Sequence, residues 1–90
     1  MTAITPEAKP TIRLGVPIRR FRDRLLLGLP DGAIELDAVS MRIATLLDGD
    51  RTVEQVAELI GTEFGVPSDA VLDDVLELLA DLDRREVLDW

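Results

Sequence analysis

The segment LLLGLPDGAIELD, residues 25–37, constrains the fold of this chain more than any other. An apolar run, a Pro-Asp-Gly turn and a short alternation of apolar and polar residues are typical of a β-hairpin. The turn fits a three-residue loop that closes on Gly32. Helical sequence follows at once, so the second arm covers only residues 33–36. This pattern predicts a short strand at the end of a small sheet, directly before a helix.

The first arm of the hairpin is predicted at Arg24–Leu29, with alternate leucines on one face. Another strand is predicted within residues 12–21, which contain β-branched residues and an alternating section. Residues 1–11 include Pro6 and Pro10 and few large apolar groups, so we expect a flexible lead-in there and a folded domain over residues 12–90.

Three helices are predicted after the hairpin. Asp37 can cap the first helix, and Thr52 with Gln55 forms a capping box that opens the second. Gly65 is expected to end the second helix, and Ser68 to cap the third. The predicted fold class is α+β: a three-stranded antiparallel sheet followed by three helices, which is also the content of a small winged helix-turn-helix domain.

Composition removes several classes of function. The 90 residues contain no cysteine and no histidine, so disulfides, thiolate metal sites and histidine-based catalysis are excluded. Carboxylate pairs such as Asp73-Asp74 are more typical of solvated helix surfaces than of metal sites. No stretch approaches the ~20 apolar residues of a membrane span, and residues 1–11 lack the basic-then-apolar pattern expected of a signal peptide. We therefore expect a cytoplasmic, non-enzymatic protein without metal or cofactor.

Charge is distributed unevenly along the chain, whose net charge is −8. Residues 1–24 carry six basic groups against two acidic ones, a balance of +4, whereas residues 25–90 carry four against sixteen, a balance of −12. The basic groups either contact a partner or face the acidic helices. The sequence leaves both alternatives open.

The two edges of the predicted sheet are protected unequally. Proteins usually protect an edge strand with proline, charge or a bulge. The first strand has Pro17, Arg19 and Arg20, whereas the third strand has no proline and one charged residue, Glu35. Either another part of the chain covers the third strand, or this strand accepts an added strand from another molecule.

The third helix carries an unusually wide apolar stripe. Its apolar residues spread over roughly 160°, whereas packing on a core requires a stripe of ~100°. Either this helix is deeply buried, or one flank of the stripe lines a groove. An open strand beside such a helix is the usual arrangement for binding an extended peptide.

The candidate peptide-binding residues lie on these two elements. On the strand they are Gly32, Ala33, Ile34, Glu35 and Leu36, and on the helix they are Val71, Leu72, Asp74, Val75, Leu78 and Leu79. The apolar members can equally belong to the core, as Ile34, Leu36, Val75 and Leu79 would if they point inward. Asp74 is suited to pair with a basic residue of the peptide or to be solvated.

A winged-helix DNA-binding regulator is the alternative from another class. Its recognition helix would be the third helix, whose residues 68–83 contain six carboxylates and no lysine or arginine. Because DNA binding depends on cations that neutralise phosphates, this helix would be repelled from the major groove. The sequence therefore favours a peptide ligand over nucleic acid.

Several segments together resemble the PqqD family, small peptide-binding proteins of pyrroloquinoline quinone biosynthesis, and the wider class of recognition elements for ribosomally made, post-translationally modified peptides. The resemblance covers residues 12–88. It rests on a leucine-rich strand that leads into Pro30-Asp31-Gly32, on Asp48-Gly49-Asp50-Arg51-Thr52, and on Asp74-Val75. Family-typical residues are replaced at five positions: Asp37, Val39, Ser40, Ala44 and Glu86.

The resemblance implies a non-catalytic peptide chaperone without a cofactor. The leader segment of a precursor peptide would add as a strand antiparallel to the third strand and pack against the third helix. The domain would present this peptide to a modifying enzyme, a radical SAM protein in the quinone pathway. A relative in another pathway, such as that of lasso peptides, would instead serve a leader protease and a cyclase. No membrane or nucleic acid partner is implied.

Overall fold

The computed structural model describes residues 3–22 and 24–90. The strands are β1 Thr11–Ile12, β2 Ile18–Phe21, β3 Arg24–Leu29, β4 Gly32–Leu36 and β5 Leu88–Asp89, and the helices are α1 Ala38–Thr45, α2 Val53–Phe64 and α3 Ser68–Arg84. Strands β2, β3 and β4 form an antiparallel sheet in that order, and the three helices follow it in sequence. The predicted α+β fold is confirmed.

The strand predicted within residues 12–21 is divided in the structure. Only its second part, β2, pairs with β3, whereas β1 pairs with β5 near the C-terminus. Between them the chain turns at Gly15, which has φ +94°, and the Val16 amide donates to the Arg13 carbonyl. Pro17 cannot donate to a ladder. The chain therefore leaves one sheet before it enters the other.

The β3–β4 hairpin has a two-residue loop instead of the three-residue loop expected from the sequence. Gly32 pairs with Leu29, so it belongs to the strand and only Pro30 and Asp31 form the loop. As a result β4 begins one residue earlier than predicted and the open strand covers Gly32–Leu36.

The core lies between one face of the sheet and the helices. Leu25 and Leu27 of β3 point into it, and so does Leu36 of β4. The helices contribute the apolar positions of their inner faces, which include Ile43, Val53, Val56, Ile60, Val75, Leu79 and Leu82. At Gly61 a Cβ atom would lie 2.7 Å from the Val66 carbonyl oxygen, so glycine allows the α2–α3 connection to pass close to α2.

Residues 3–10 pack onto this core, which differs from the flexible lead-in expected there. Ile4 and Pro10 are buried. The carbonyls of Pro6 and Ala8 accept hydrogen bonds from the first two amides of α2, which have no partner within the helix. These contacts attach the N-terminal segment to the start of α2.

Two of the three predicted helix caps are confirmed. The Asp37 carboxylate accepts a hydrogen bond of 2.8 Å from the Ser40 backbone amide. Thr52 and Gln55 form the reciprocal bonds of a capping box. The prediction of Ser68 as a cap was wrong, because Ser68 is already helical and Pro67, which has no side-chain cap bond, occupies the cap position.

Asp37 couples the end of β4 to the start of α1, so its removal should be measurable as lost stability. The Ser40 amide, and secondarily the Ser40 hydroxyl, hold the pKa of Asp37 below its ordinary value. We expect Asp37→Ala to lower the free energy of unfolding by ~0.5–2 kcal/mol, measured by urea denaturation at pH 7.

The pH dependence of this effect has a defined sign. Since the pKa is lowered on folding, the charge contributes stability above the unfolded-state pKa of about 3.9, and this contribution is lost as the pH falls through the folded-state value. Asp37→Asn keeps a good cap and is the matched control. A wild-type advantage over Asp37→Asn that grows as the pH falls below 4 would contradict this account.

In residues 3–22 and 24–90, none of the helices combines the length and apolar character that crossing a membrane requires.

Candidate functional site

Strand β4 has one edge that pairs with β3 and one edge without a strand partner in the described part of the chain. The direction of its main-chain groups follows from β3. The Gly28 amide donates to the Pro17 carbonyl at 2.8 Å, so Gly28 directs its main-chain groups toward β2. Its partner across the other ladder, Ala33, is thus in a non-hydrogen-bonded pair. Ala33 therefore directs its amide and carbonyl to the open side of β4, and by alternation Glu35 does the same.

The two faces of β4 differ in exposure. Leu36 is buried, and Ile34, which lies on the same inner face beside the fully buried Leu27, is only half-buried. The uncovered part of Ile34 is consistent with its position at the open edge. On the outer face Ala33 and Glu35 are exposed, and Glu35 accepts a hydrogen bond from the Arg24 guanidinium at 2.6 Å.

The candidate residues on α3 divide into two groups. Val71, Val75 and Leu79 are buried, the last two with none of their surface exposed. Leu72 and Leu78 are half-buried and pack against the core, and Asp74 is exposed. The wide stripe is therefore a buried centre with two partly exposed flanks, so both alternatives considered for this helix hold in part.

The two flanks of α3 lie on different sides of the domain. One carries Leu72, Leu76 and Asp83, and Asp83 accepts a hydrogen bond from the Trp90 indole at 3.0 Å. Trp90 directly follows β5, which pairs with β1. This flank therefore lies beside the C-terminal residues that follow β5.

The other flank carries Asp74, Leu78 and Asp81. A surface depression of about 410 Å³ lies along it, with Leu78 between acidic groups. Asp81 pairs with Arg84 and with Arg85. Arg85 lines a larger cavity of about 560 Å³, which it shares with residues 13–17, ahead of β2, and with Leu29 and Pro30 of the β3–β4 hairpin. The C-terminal end of α3 thus lies near the hairpin loop and the segment that leads into β2.

Sequence reasoning missed two contributors to this region. Arg24 supports the outer face of β4 through Glu35, and Leu29 continues the half-buried apolar surface of the hairpin. The opposite charges of Arg24 and Glu35 on neighbouring strands were the available signal. Within residues 3–22 and 24–90, no group of three or more carboxylates is arranged to hold a metal ion.

The Asp48–Thr52 segment, which carried part of the family resemblance, has a structural role. The Asp48 carboxylate accepts hydrogen bonds from the backbone amides of Arg51 and Asp50. These bonds lower the pKa of Asp48, and the bond from Arg51 has the larger effect. Gly49 adopts φ +81°, and Thr52 caps α2. These residues shape the α1–α2 connection and lie outside the open edge.

The fold matches that of recognition elements for ribosomally made, modified peptides. One match is the PqqD part of Methylobacterium extorquens PqqCD, which is described as a stand-alone recognition element of this kind. The two folds agree with a TM-score of 0.84 and 28% sequence identity, over 99% of this chain and 97% of the other. TbiB1, solved in complex with the TbiA(beta) leader peptide, matches with a TM-score of 0.77 and 30% identity over 88% of this chain and 94% of TbiB1.

Comparison of the amino-acid sequence with known proteins shows the family of this chain. Residues 24–88 match the model of PqqD, coenzyme PQQ synthesis protein D, and the chain belongs to this family. A relative from Xanthomonas oryzae, named PqqA binding protein, is 33% identical over 98% of both chains. The resemblance inferred from the motifs is therefore confirmed.

Proposed function

We propose that this chain binds the leader segment of a ribosomally made precursor peptide as a strand added to β4, and that it presents this peptide to a modifying enzyme. The observation that carries the proposal is the outward direction of the Ala33 and Glu35 main-chain groups, which have no strand partner in the described residues. An extended peptide supplies the missing amides and carbonyls.

The flank of α3 that carries Asp74 and Leu78 faces the bound strand in this proposal. Alternate side chains of the peptide would rest on the exposed part of Ile34 and on Leu78. A basic side chain would lie near Asp74. Leu72 lies on the other flank, and Val71, Val75 and Leu79 support the site from the core without touching the peptide.

The expected affinity follows from a few contacts. Two or three apolar anchors contribute roughly 1.5–3 kcal/mol each, and main-chain bonds contribute about 1 kcal/mol net each. Association and ordering cost several kcal/mol. A surplus of about 8 kcal/mol corresponds to a dissociation constant on the order of micromolar.

An NMR titration tests where the peptide binds. The probe is the synthetic leader of the precursor encoded beside the gene of this chain, added to ¹⁵N-labelled protein. Amide shifts should concentrate at Gly32–Leu36 and around Leu78, with a scrambled leader as control. Trp90, the chain's single tryptophan, lies with the other flank, so its fluorescence should change little. Shifts confined to β2 or α2 would place the peptide elsewhere.

We also propose that the chain is a cytoplasmic protein that performs no chemistry on the peptide. The absence of histidine and cysteine removes the common nucleophile and base pairs. Incubation of the purified chain with the full precursor should leave the peptide mass unchanged, whereas addition of the modifying enzyme should change it. A mass change without the enzyme would contradict a purely presenting role.

The biosynthetic pathway that this chain serves depends on which precursor peptide it binds. The relatives named PqqA binding protein support quinone biosynthesis, for which the family resemblance implies a radical SAM enzyme. The likeness to TbiB1, solved with a leader peptide, supports another peptide pathway, such as one with a leader protease and a cyclase. We propose the first, because the match to the X. oryzae relative spans both chains almost completely. A PqqA peptide that binds no more tightly than its scrambled version would favour the second.

A further inference from the structure

Strand β2 forms the edge of the sheet opposite to the proposed peptide site. This strand is positively charged, whereas the chain as a whole is negatively charged. Arg19, Arg20 and Arg22 lie on this strand or next to it, and none of them forms an ion pair within residues 3–22 and 24–90. The net charge of the chain is −8. These arginines are therefore not used to neutralise the acidic helices in the part that the structure describes.

Apolar side chains are exposed next to these charges, Ile18 on the inner face of the sheet with Arg20, and Phe21 on the outer face with Arg19. Ile18 is 54% exposed and Phe21 is 62% exposed. Protection of an edge against unwanted pairing explains the arginines but not the exposure of two large apolar groups. A cavity of about 270 Å³ also opens at this edge, bordered by Ile12, Ile18, Arg20, Leu25, Ala44 and Thr45.

Main-chain groups of β2 are free as well. The bond from Gly28 to the Pro17 carbonyl fixes the alternation of the β2–β3 ladder, so Ile18 and Arg20 lie in non-hydrogen-bonded pairs with Leu27 and Leu25. Their amides and carbonyls therefore point away from β3. This edge offers hydrogen-bonding groups, an apolar cavity and positive charge at one place.

We propose that the β2 edge binds an extended acidic segment of the modifying enzyme, an apolar side chain of which enters the cavity beside Ile18. The carboxylates of this segment would pair with Arg19, Arg20 and Arg22, since opposite charges on neighbouring strands stabilise pairing. Elsewhere the acidic surface of the domain repels such a segment. An extended protein segment can pair with the free main-chain groups of β2 as an added strand, which a nucleic acid cannot, so an acidic protein segment fits this edge better.

The choice of the enzyme as partner rests on the proposed function. β2 and β4 are the two edges of one sheet, roughly 10 Å apart across β3. A leader on β4 leaves β2 free, so the peptide and the enzyme segment can occupy the domain together.

A charge reversal with a matched control tests this inference. Binding of the purified modifying enzyme encoded beside the gene is measured by calorimetry, with the chain already loaded with its leader peptide. Arg20→Glu should weaken enzyme binding at least tenfold, whereas Lys9→Glu, the same charge change at another exposed position, should change it less than twofold. Leader affinity should stay within twofold in both variants.

A second variant separates the cavity from the charge. Ile18→Ser removes an apolar wall without altering charge, and it should weaken enzyme binding several-fold even if Arg20→Glu folds poorly by circular dichroism. Raising the salt concentration from 50 to 300 mM should weaken binding to the wild-type chain and have less effect on Arg20→Glu.

Several results would overturn the inference. They are unchanged enzyme binding in Arg20→Glu and Ile18→Ser, equal losses in Arg20→Glu and Lys9→Glu, or a parallel loss of leader affinity. Retardation of duplex DNA that depends on Arg20 would assign the edge to nucleic acid, and Arg20-dependent self-association in sedimentation would assign it to a second copy. If the leader fails to bind while enzyme binding still depends on Arg20, only the peptide proposal fails.

Discussion

Ala33→Pro should weaken binding of the leader peptide at least tenfold. Proline removes the amide that Ala33 directs to the open side of β4, so a carbonyl of the bound peptide loses its partner, and the ring crowds the added strand. A lost main-chain bond and an unpaired carbonyl together cost more than ~1.4 kcal/mol, which is a factor of ten in the dissociation constant. Calorimetric titration with the synthetic leader measures this change.

The opposite edge supplies the matched control. Arg20→Pro also removes an outward amide from an edge strand, so it carries the same backbone constraint, and leader affinity should stay within twofold. Urea denaturation of both variants checks that the sheet is intact. Equal losses in the two variants would indicate a general effect on the sheet rather than a peptide on β4.

Neighbouring leucines of α3 should separate binding from stability. Leu79 is fully buried, so Leu79→Ala should lower the free energy of unfolding by ~2–5 kcal/mol and the melting temperature by about 10 °C or more. Leader affinity of the folded protein should change little. Leu78→Asp should instead reduce leader affinity ~10–100-fold, because it places a charge against apolar anchors of the peptide.

Leu72 provides the control for Leu78. Both are half-buried leucines of the same helix, but Leu72 lies on the opposite flank, which carries Asp83. Leu72→Asp should therefore cost similar stability, measured by thermal unfolding, and leave leader affinity nearly unchanged. If Leu72→Asp abolishes binding and Leu78→Asp does not, the peptide packs on the other flank of α3.

The two edges of the sheet explain how so small a domain can act as an adaptor. β4 is short and carries one charged residue, which suits an apolar extended peptide. β2 carries arginines and exposed apolar groups, which suits an acidic segment. Because the edges differ in charge and in exposed apolar surface, they favour different ligands.

Features encoded over a few residues were predicted from the sequence alone. The hairpin around Pro30-Asp31, the Asp37 cap, the capping box of Thr52 and the end of α2 at Gly65 all depend on local backbone geometry and short-range hydrogen bonds. Apolar periodicity likewise determined that three helices follow three strands. The sequence also showed that the third strand has no proline and one charged residue, but it left open whether another part of the chain covers that edge.

Only the tertiary structure decided which of these residues a ligand can reach. Periodicity places Leu78 and Leu79 in one stripe of α3, but their exposure depends on which elements pack against each side of that helix. The outward direction of the Ala33 amide follows from the register of the β3–β4 hairpin, in which Leu29 pairs with Gly32 across two loop residues rather than the three expected from the sequence. The packing on each side of α3 joins residues distant in sequence, and no local pattern encodes it.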